Sequence, residues 1–227
     1  MRVGALLPEL VQPVDRLLGL LQQNSQRRVV VGLVGLPGSG KSTMAAQWVD
    51  AVNAALGADV AQPLGMDGFH LTKAQLGQFP DPAAALARRG SPWTFDPTAL
   101  HVRLQKVRNA AVDSDGAALT WPSFEHGVGN PVDDALIVGA HTRLVILEGL
   151  YLLHADHNWN LTGLLNECWY LDVPFEVASE RLIQRHMAAW GMTRVEAQAR
   201  LDANDSLNAD IVQHSRARAD WLIPFQP

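Results

Sequence analysis

Eight consecutive residues, Gly35-Leu36-Pro37-Gly38-Ser39-Gly40-Lys41-Ser42, match G-x-x-x-x-G-K-[ST] at every fixed position. Gly38 and Gly40 let the backbone take turns that L-residues resist, so that several amide N–H groups can converge on one point. A helix beginning where the loop ends would add its positive pole at that point. Lys41 brings a full charge within reach of β- and γ-phosphates, and Ser42 offers a hydroxyl to Mg²⁺, with Thr43 beside it. Gly35, Pro37, Gly38, Ser39, Gly40, Lys41, Ser42 and Thr43 are therefore the expected grip on a nucleoside triphosphate, with ATP and Mg²⁺ as the expected cofactors.

A triphosphate grip binds but does not transfer. Transfer also needs a carboxylate on the metal side and a group that takes a proton from an acceptor. Asp67 follows the apolar run Val60-Ala-Gln-Pro-Leu-Gly-Met and opens Asp67-Gly68-Phe69-His70, which puts an acid at a strand end beside a flexible glycine. It could orient and deprotonate an acceptor hydroxyl or reach the metal through water, although Asp-Gly is also a common turn pair. Glu148 closes Arg143-Leu-Val-Ile-Leu-Glu, a second apolar run followed by glycine. An acid left unpaired there would be costly to bury, so a metal or cation is expected beside it. Ser42, Glu148 and Asp67 form the expected metal side, and Asp67, Lys41, Arg181 and Arg185 the expected catalytic residues. Asp172 also ends a strand, but Asp-Val-Pro reads as an ordinary strand exit.

Arg181 and Arg185 lie four residues apart, on one face of a helix. Two cations so placed can close on transferring phosphate, or form a mildly repelling surface pair. Polar and aromatic residues on the strand-end loops, His70, Lys73, Arg88, Arg89, Trp93, Phe95, Glu125, His126 and Tyr151, suit a hydroxylated acceptor packed on ring faces. Which of them line the pocket is open. Arg88 and Arg89 could bind an anionic acceptor or remain solvated.

The elements that must position these groups are legible as patterns. Leu6, Leu10, Val14, Leu17, Leu18 and Leu21 fall at helical spacing over 5–21, a packing helix. Val29–Val34 is a continuous apolar run of the kind buried on both faces of a parallel sheet, and a helix is expected from Lys41 to about Leu56. Similar runs recur at Val60–Met66, Leu144–Leu147, Cys168–Val173 and Trp221–Ile223, with helical patterns around 98–112, 174–190 and 193–202. Such alternation implies βαβ units. The Gly-, Pro- and Asp-rich stretches 77–97 and 121–134 read as loops over the sheet edge.

The 227 residues suit one α/β domain, and 48% hydrophobic content supplies a full core. A net charge of −5 disfavours a general nucleic-acid binder. The single cysteine, Cys168, sits in an apolar stretch and reads as a buried, inert thiol. Neither a signal peptide nor a run of about 20 apolar residues is found, so no membrane contact and a cytoplasmic location are expected.

Taken together, Gly35–Thr43, Met66-Asp-Gly-Phe-His, Arg88-Arg-Gly-Ser-Pro-Trp-Thr-Phe-Asp, Pro122-Ser-Phe-Glu-His, Val145-Ile-Leu-Glu-Gly-Leu-Tyr, Arg181-Leu-Ile-Gln-Arg-His and Asn204-Asp-Ser-Leu-Asn run in the order found in one family. Over roughly 28–220 the chain resembles the phosphoribulokinase/uridine kinase family of P-loop kinases, which includes bacterial pantothenate kinase. It is most similar to the nucleoside/nucleotide kinase branch whose members include fructose-transport-system kinases. The resemblance implies that Asp67 is the catalytic acid, that Glu148 holds Mg²⁺ with Ser42, and that Arg181 and Arg185 belong to a lid. It further implies that the Arg88–Asp96 stretch lies over the acceptor pocket and that the segment with His126 is a substrate-side loop. Asp67-Gly-Phe-His lacks the tyrosine that uridine kinases carry after this strand, which weighs against a pyrimidine nucleoside as acceptor.

The expected architecture is a P-loop NTPase α/β fold. It has three layers, α/β/α, around a five-stranded, mainly parallel sheet. It forms a single domain over 1–227, with an N-terminal helix within 1–27 and a small helical lid at about 174–210. The expected activity is ATP-dependent phosphotransfer to a hydroxyl of a small sugar, nucleoside or pantothenate-like acceptor. The alternative is a P-loop ATPase or GTPase coupled to a partner, though no Asn-Lys-x-Asp guanine motif occurs. The family resemblance admits a homodimer, which no residue pattern decides.

Overall fold

A strand with no polar side chain on either face can be stable only where both faces are covered. Val29-Val-Val-Gly-Leu-Val-Gly meets that condition. In the computed structural model, which describes residues 8–112, 119–125, 128–156, 158–161 and 163–226, it is β1 (Val29–Gly35), buried along its whole length. Its neighbours are β5 (Leu144–Glu148) on one side and β6 (Glu167–Asp172) on the other, both parallel to it. β2 (Ala61–Gly65) extends the sheet beyond β5, and β7 (Trp221–Pro224) beyond β6. The order β2-β5-β1-β6-β7 is parallel at every pairing, so all the strand tips that could carry chemistry point the same way.

Helices surround this sheet. α1 (Pro8–Gln23) packs on α2 (Lys41–Leu56), which lies against β1, β2 and β5. Leu6, part of the expected helical stripe, falls outside the described residues, while Val14, Leu17 and Leu21 of that stripe are buried. The guanidinium of Arg16 donates to both carboxylate oxygens of Glu167 at 2.7 and 3.0 Å, tying α1 to β6. Trp48, Trp169 and Trp221 meet edge-to-face between these layers, with centroids 5.7 and 5.0 Å apart. Cys168 is buried, and burial pushes its thiol above the ordinary range, as expected for an inert core group.

The stretches expected to be irregular are more ordered than their composition suggested. Residues 77–97 follow α3 (Lys73–Leu76) and contain α4 (Pro82–Ala87), capped by the Asp81 carboxylate, which accepts from the Ala84 amide. α5 (Pro97–Asn109) follows, capped in the same way by Asp96. Outside 126–127, which are not among the described residues, the 121–134 stretch is mostly strand. It lies within an antiparallel pair, β3 (Leu119–Glu125) and β4 (Asn130–Val138), separate from the main sheet. Pro122 lacks an N–H for the ladder, and the register shifts between Trp121 and Ser123 at that point. The pair therefore tolerates the residues that made the stretch look irregular.

Beyond β6 the chain forms α6 (Phe175–Trp190), α7 (Arg194–Arg200), a π-helical turn at Leu201–Asp205, and α8 (Ser206–Ser215). The helical pattern around 193–202 corresponds to α7, whereas α8 carried too weak a stripe to be expected. Asp172, at the tip of β6, accepts both nitrogens of Arg216 at 2.9 and 2.6 Å, so it is a structural anchor.

Arg28, just before β1, is 98% buried, at 2% exposure. Its guanidinium donates to the carbonyls of Thr142 (2.8 Å), Ala110 (3.0 Å), Val107 (3.3 Å), Ala140 (3.3 Å) and Gly139 (3.4 Å). It thereby joins β1, the negative end of α5 and the turn before β5. Arg28→Met should keep the aliphatic packing but orphan several buried carbonyls. We expect a loss of about 3 kcal/mol or more in unfolding free energy, read from urea denaturation.

Candidate active site

The phosphate loop sits between the tip of β1 and the start of α2. Gly38 and Gly40 have φ of +80° and +91°, in the left-handed region that L-residues avoid. The Lys41 ammonium, buried, donates to the carbonyls of Gly35 and Leu36 at 3.0 Å each, which stations it inside the loop. Burial lowers its pKa, while the nearby Glu148 and Asp67 carboxylates act in the opposite direction.

The two acids come together because β2 and β5 are sheet neighbours. Gly65 pairs across from Glu148, and Asp67 lies one step further, in the 3-10 turn Met66–Phe69. The glycines after both acids have a packing reason. A Cβ on Gly149 would lie 2.5 Å from Met66 Cβ, and one on Gly68 would lie 2.3 Å from the Pro122 carbonyl oxygen. Close approach, rather than turn flexibility, is what Asp-Gly and Glu-Gly record here. The Ser42 hydroxyl donates to Glu148 Oε1 at 2.9 Å. Burial first, and Asp67 second, push the Glu148 carboxyl above its usual range.

A folded-state pKa above the unfolded value means that the native protein holds this proton more tightly. The associated stability is present at acidic pH and is lost as pH rises through the raised pKa. Glu148→Gln should therefore stabilise the ligand-free protein at pH 8 by about 1 kcal/mol, an advantage that shrinks toward pH 5. Thermal melts of both proteins at the two pH values check this.

A cavity of about 330 Å³ joins this region to the acceptor-side candidates. Lys41, Ser42, Asp67 and Glu148 line one end, and His70, Arg89 and Phe95 line the other. His70 is held between two rings, 3.9 Å from Phe95 and 4.5 Å from Phe124, with Nδ1 2.8 Å from the Asp67 carbonyl. Arg185 lines the same cavity. Arg181 and Arg185 together face the loop across a second hollow lined by Gly38, Gly40 and Thr43, and Arg181 Nη1 approaches the Ser39 carbonyl at 3.5 Å.

Other candidates are placed elsewhere. The Arg88 guanidinium donates to the carbonyls of Ala203 and Asn204 at 3.2 and 3.4 Å, so it clamps the π turn and is not part of the cavity wall. Trp93 is exposed and packs near Phe79, with centroids 5.8 Å apart. Tyr151 is fully buried, and its hydroxyl donates to the Gly90 carbonyl at 2.6 Å. Burial pushes that phenol well above its ordinary range. Lys73 donates to the Val128 carbonyl at 3.0 Å, and Glu125 is exposed at the end of β3. His126 lies outside the described residues.

The structure also brings in residues to which the sequence assigned no site role. Trp190, Arg200, Asn204, Asp205 and Asn208 line the cavity from the α6–α8 side. His186 Nε2 lies 2.9 Å from Asp205 Oδ2, and its ring stacks on Trp190 at 4.8 Å. Arg200 covers Trp190 at 4.5 Å. The spacing of Asn204 and Asn208, one helical turn apart, was the available signal.

A nucleotide loop ending a buried parallel strand, two strand-tip acids beside it and a helical cover define a P-loop kinase. No protein-family model matches the chain. Relatives do. The chain is 37% identical over 87% of its length to "Putative uridine kinase C227.14" of Schizosaccharomyces pombe, covering 83% of that protein. It is 31% identical over 98% of its length to the ATP-dependent kinase YFH7 of Zygosaccharomyces rouxii, covering 65% of that longer protein. The crystal structure of a "putative fructose transport system kinase" from Silicibacter sp. TM1040 superposes with a TM-score of 0.82 at 31% identity, covering 94% of this chain and 98% of that one. The protein therefore belongs to the uridine kinase-like family of P-loop kinases, and it is an ATP-dependent kinase. Among the described residues, no helix is long and apolar enough to cross a membrane.

Proposed function

We propose that this kinase transfers the γ-phosphate of MgATP to a hydroxyl of a small polar metabolite held between β2 and the α6–α8 helices. The carrying observation is one cavity that has Lys41, Ser42, Asp67 and Glu148 at one end and His70, Arg89 and Phe95 at the other. A donor and an acceptor bound at those ends would meet beside Asp67.

The roles follow from position. The amides of 35–43 and the Lys41 ammonium grip the β- and γ-phosphates, with Arg181 and Arg185 closing from α6. Ser42 Oγ and Glu148 Oε1, 2.9 Å apart, present two adjacent hard oxygens, which fits Mg²⁺ shared with phosphate oxygens and water. The metal, when bound, would neutralise charge on the transferring phosphoryl group. The acceptor oxygen forms a new P–O bond as the bond from the γ-phosphorus to ADP breaks, and its proton passes to the Asp67 carboxylate and on to water.

A second cavity, of about 510 Å³, opens beyond Ser39 and Arg181. Val11, Pro13, Met44 and Phe225 give it apolar walls, and Arg181 covers the Phe225 ring at 5.4 Å. It supports a site for the nucleotide base, with α1 as one wall.

Calorimetry of ATP binding with and without Mg²⁺, followed by ADP release against a panel of small hydroxylated acceptors, tests the proposal. Magnesium-dependent binding and stimulation by an acceptor are expected. Hydrolysis that no acceptor stimulates would instead support a partner-coupled ATPase.

A further inference from the structure

Building on the phosphotransfer reading, we infer that the acceptor is a small polyhydroxylated anion, its carboxylate or phosphate held by Arg89 and one of its hydroxyls donating to Asn204. Both residues line the acceptor end of the cavity, and each has hydrogen-bonding capacity that the protein leaves unmatched.

Arg89 is fixed rather than free to sample solvent. Nη2 donates to the Leu71 carbonyl at 2.8 Å, Nη1 donates to the Gly129 carbonyl, and the guanidinium lies over the Phe124 ring at 5.2 Å. These contacts use two of its five N–H groups, and the Nε atom is buried without a partner. Among the described residues, no carboxylate lies within ion-pair distance of Arg89. Burial lowers its pKa, and no acidic side chain offsets that effect. A planar, pre-oriented guanidinium of this kind matches a carboxylate or phosphate far better than a neutral hydroxyl.

The other charges around the cavity have work elsewhere. Lys41 and Arg185 face the triphosphate end, where Asp67 and Glu148 also lie. Asp205 is engaged by His186, and Arg200 is stacked on Trp190. Arg89 is what remains on the acceptor side, and it is positive.

Asn204 supplies the complementary requirement. It is only 6% exposed, and the π turn sets it against the 88–91 turn. Its Nδ2 donates to the Arg89 carbonyl at 2.9 Å, which fixes the amide orientation because a carbonyl can only accept. Oδ1 is then left buried with no donor, in a residue that lines the cavity. A hydroxyl on the ligand would satisfy it. A cavity of about 330 Å³ that must also admit the transferring phosphoryl group suits a small acceptor of roughly three to six carbons.

The test uses matched probes: polyols of roughly three to six carbons, the corresponding aldonates, and the corresponding polyol phosphates. ADP release is measured with the full chain, after MgATP binding has been confirmed by calorimetry. An anionic member should exceed its neutral polyol in kcat/KM by about ten- to a hundredfold. Whether the carboxylate or the phosphate series responds identifies the anion. Arg89→Gln, which removes the charge, should abolish that ratio. Asn204→Leu should raise KM for the anionic substrate. A purely structural role for Arg89 would lower the activity with both probes alike and preserve the ratio, which overturns the inference. So would a preference for neutral polyols, or no stimulation by any anionic probe in protein that binds MgATP. Protein that fails to bind MgATP would overturn the phosphotransfer reading and this inference with it.

Discussion

Asp67→Asn should reduce acceptor phosphorylation by roughly 10²- to 10⁴-fold while leaving MgATP affinity within a factor of about three. The amide is nearly isosteric with the carboxylate, so the 3-10 turn after β2 should persist. That turn is held by backbone bonds, including the His70 amide to the Asp67 carbonyl at 3.1 Å, and does not require the side-chain charge. What disappears is the base proposed to act beside the acceptor hydroxyl. Metal-side chemistry should survive, because Asp67 raises the Glu148 pKa by repulsion and its neutralisation makes Glu148 easier to ionise. Calorimetry with MgATP and ADP release with the best acceptor separate the two effects. Equal losses in both would place Asp67 on the nucleotide instead.

Gly38→Ala should nearly abolish nucleotide binding, with MgATP affinity falling by about a hundredfold or more. Two costs coincide at this position. Its φ of +80° is strained for any L-residue, and an added Cβ would sit 2.2 Å from the Ala178 carbonyl oxygen and 3.2 Å from Leu182 Cβ. The first contact is to backbone, which cannot swing aside, so α6 must retreat or the loop must deform. Retreat would also withdraw Arg181 and Arg185, which lie further along the same helix. Gly40→Ala is the internal comparison. Its φ of +91° is equally unfavourable, but the nearest atom is Arg181 Nη1 at 3.9 Å, the end of a flexible side chain. The Gly40 variant should therefore bind MgATP measurably, and the Gly38 variant should not. Equal binding by the two would show that the loop–helix contact carries little energy.

The candidate residues whose placement depends on local backbone were legible in the sequence. The loop glycines, Lys41 and the two strand-tip acids could be found because a motif or an apolar run fixes their surroundings within a few positions. The parallel sheet was legible for the same reason. The acceptor wall was not. His70, Arg89 and Phe95 could be proposed as members of a mixed set, but Arg88, Trp93 and Tyr151 belonged to the same set. Only folding separates adjacent Arg88 and Arg89, sending one to the π turn and the other to the cavity. Asn204 and Asp205 depend on a π turn, which no hydrophobic period announces. The β3–β4 pair was hidden because β4 exposes most of its side chains and Pro122 interrupts β3, so the usual alternation was weak.

The strand order bears on how this chain can be synthesised. β1 is complete once Gly35 has been made, yet neither strand that flanks it arrives before Leu144 and Glu167. Until then a wholly apolar strand has no sheet to join, and the loop that follows it has no fixed frame. Closing such distant pairings is entropically slow. The nascent chain must therefore leave the ribosome with its nucleotide motif translated but unformed, and shielding of Val29–Val34 by a chaperone or by transient helix packing would be needed through that interval.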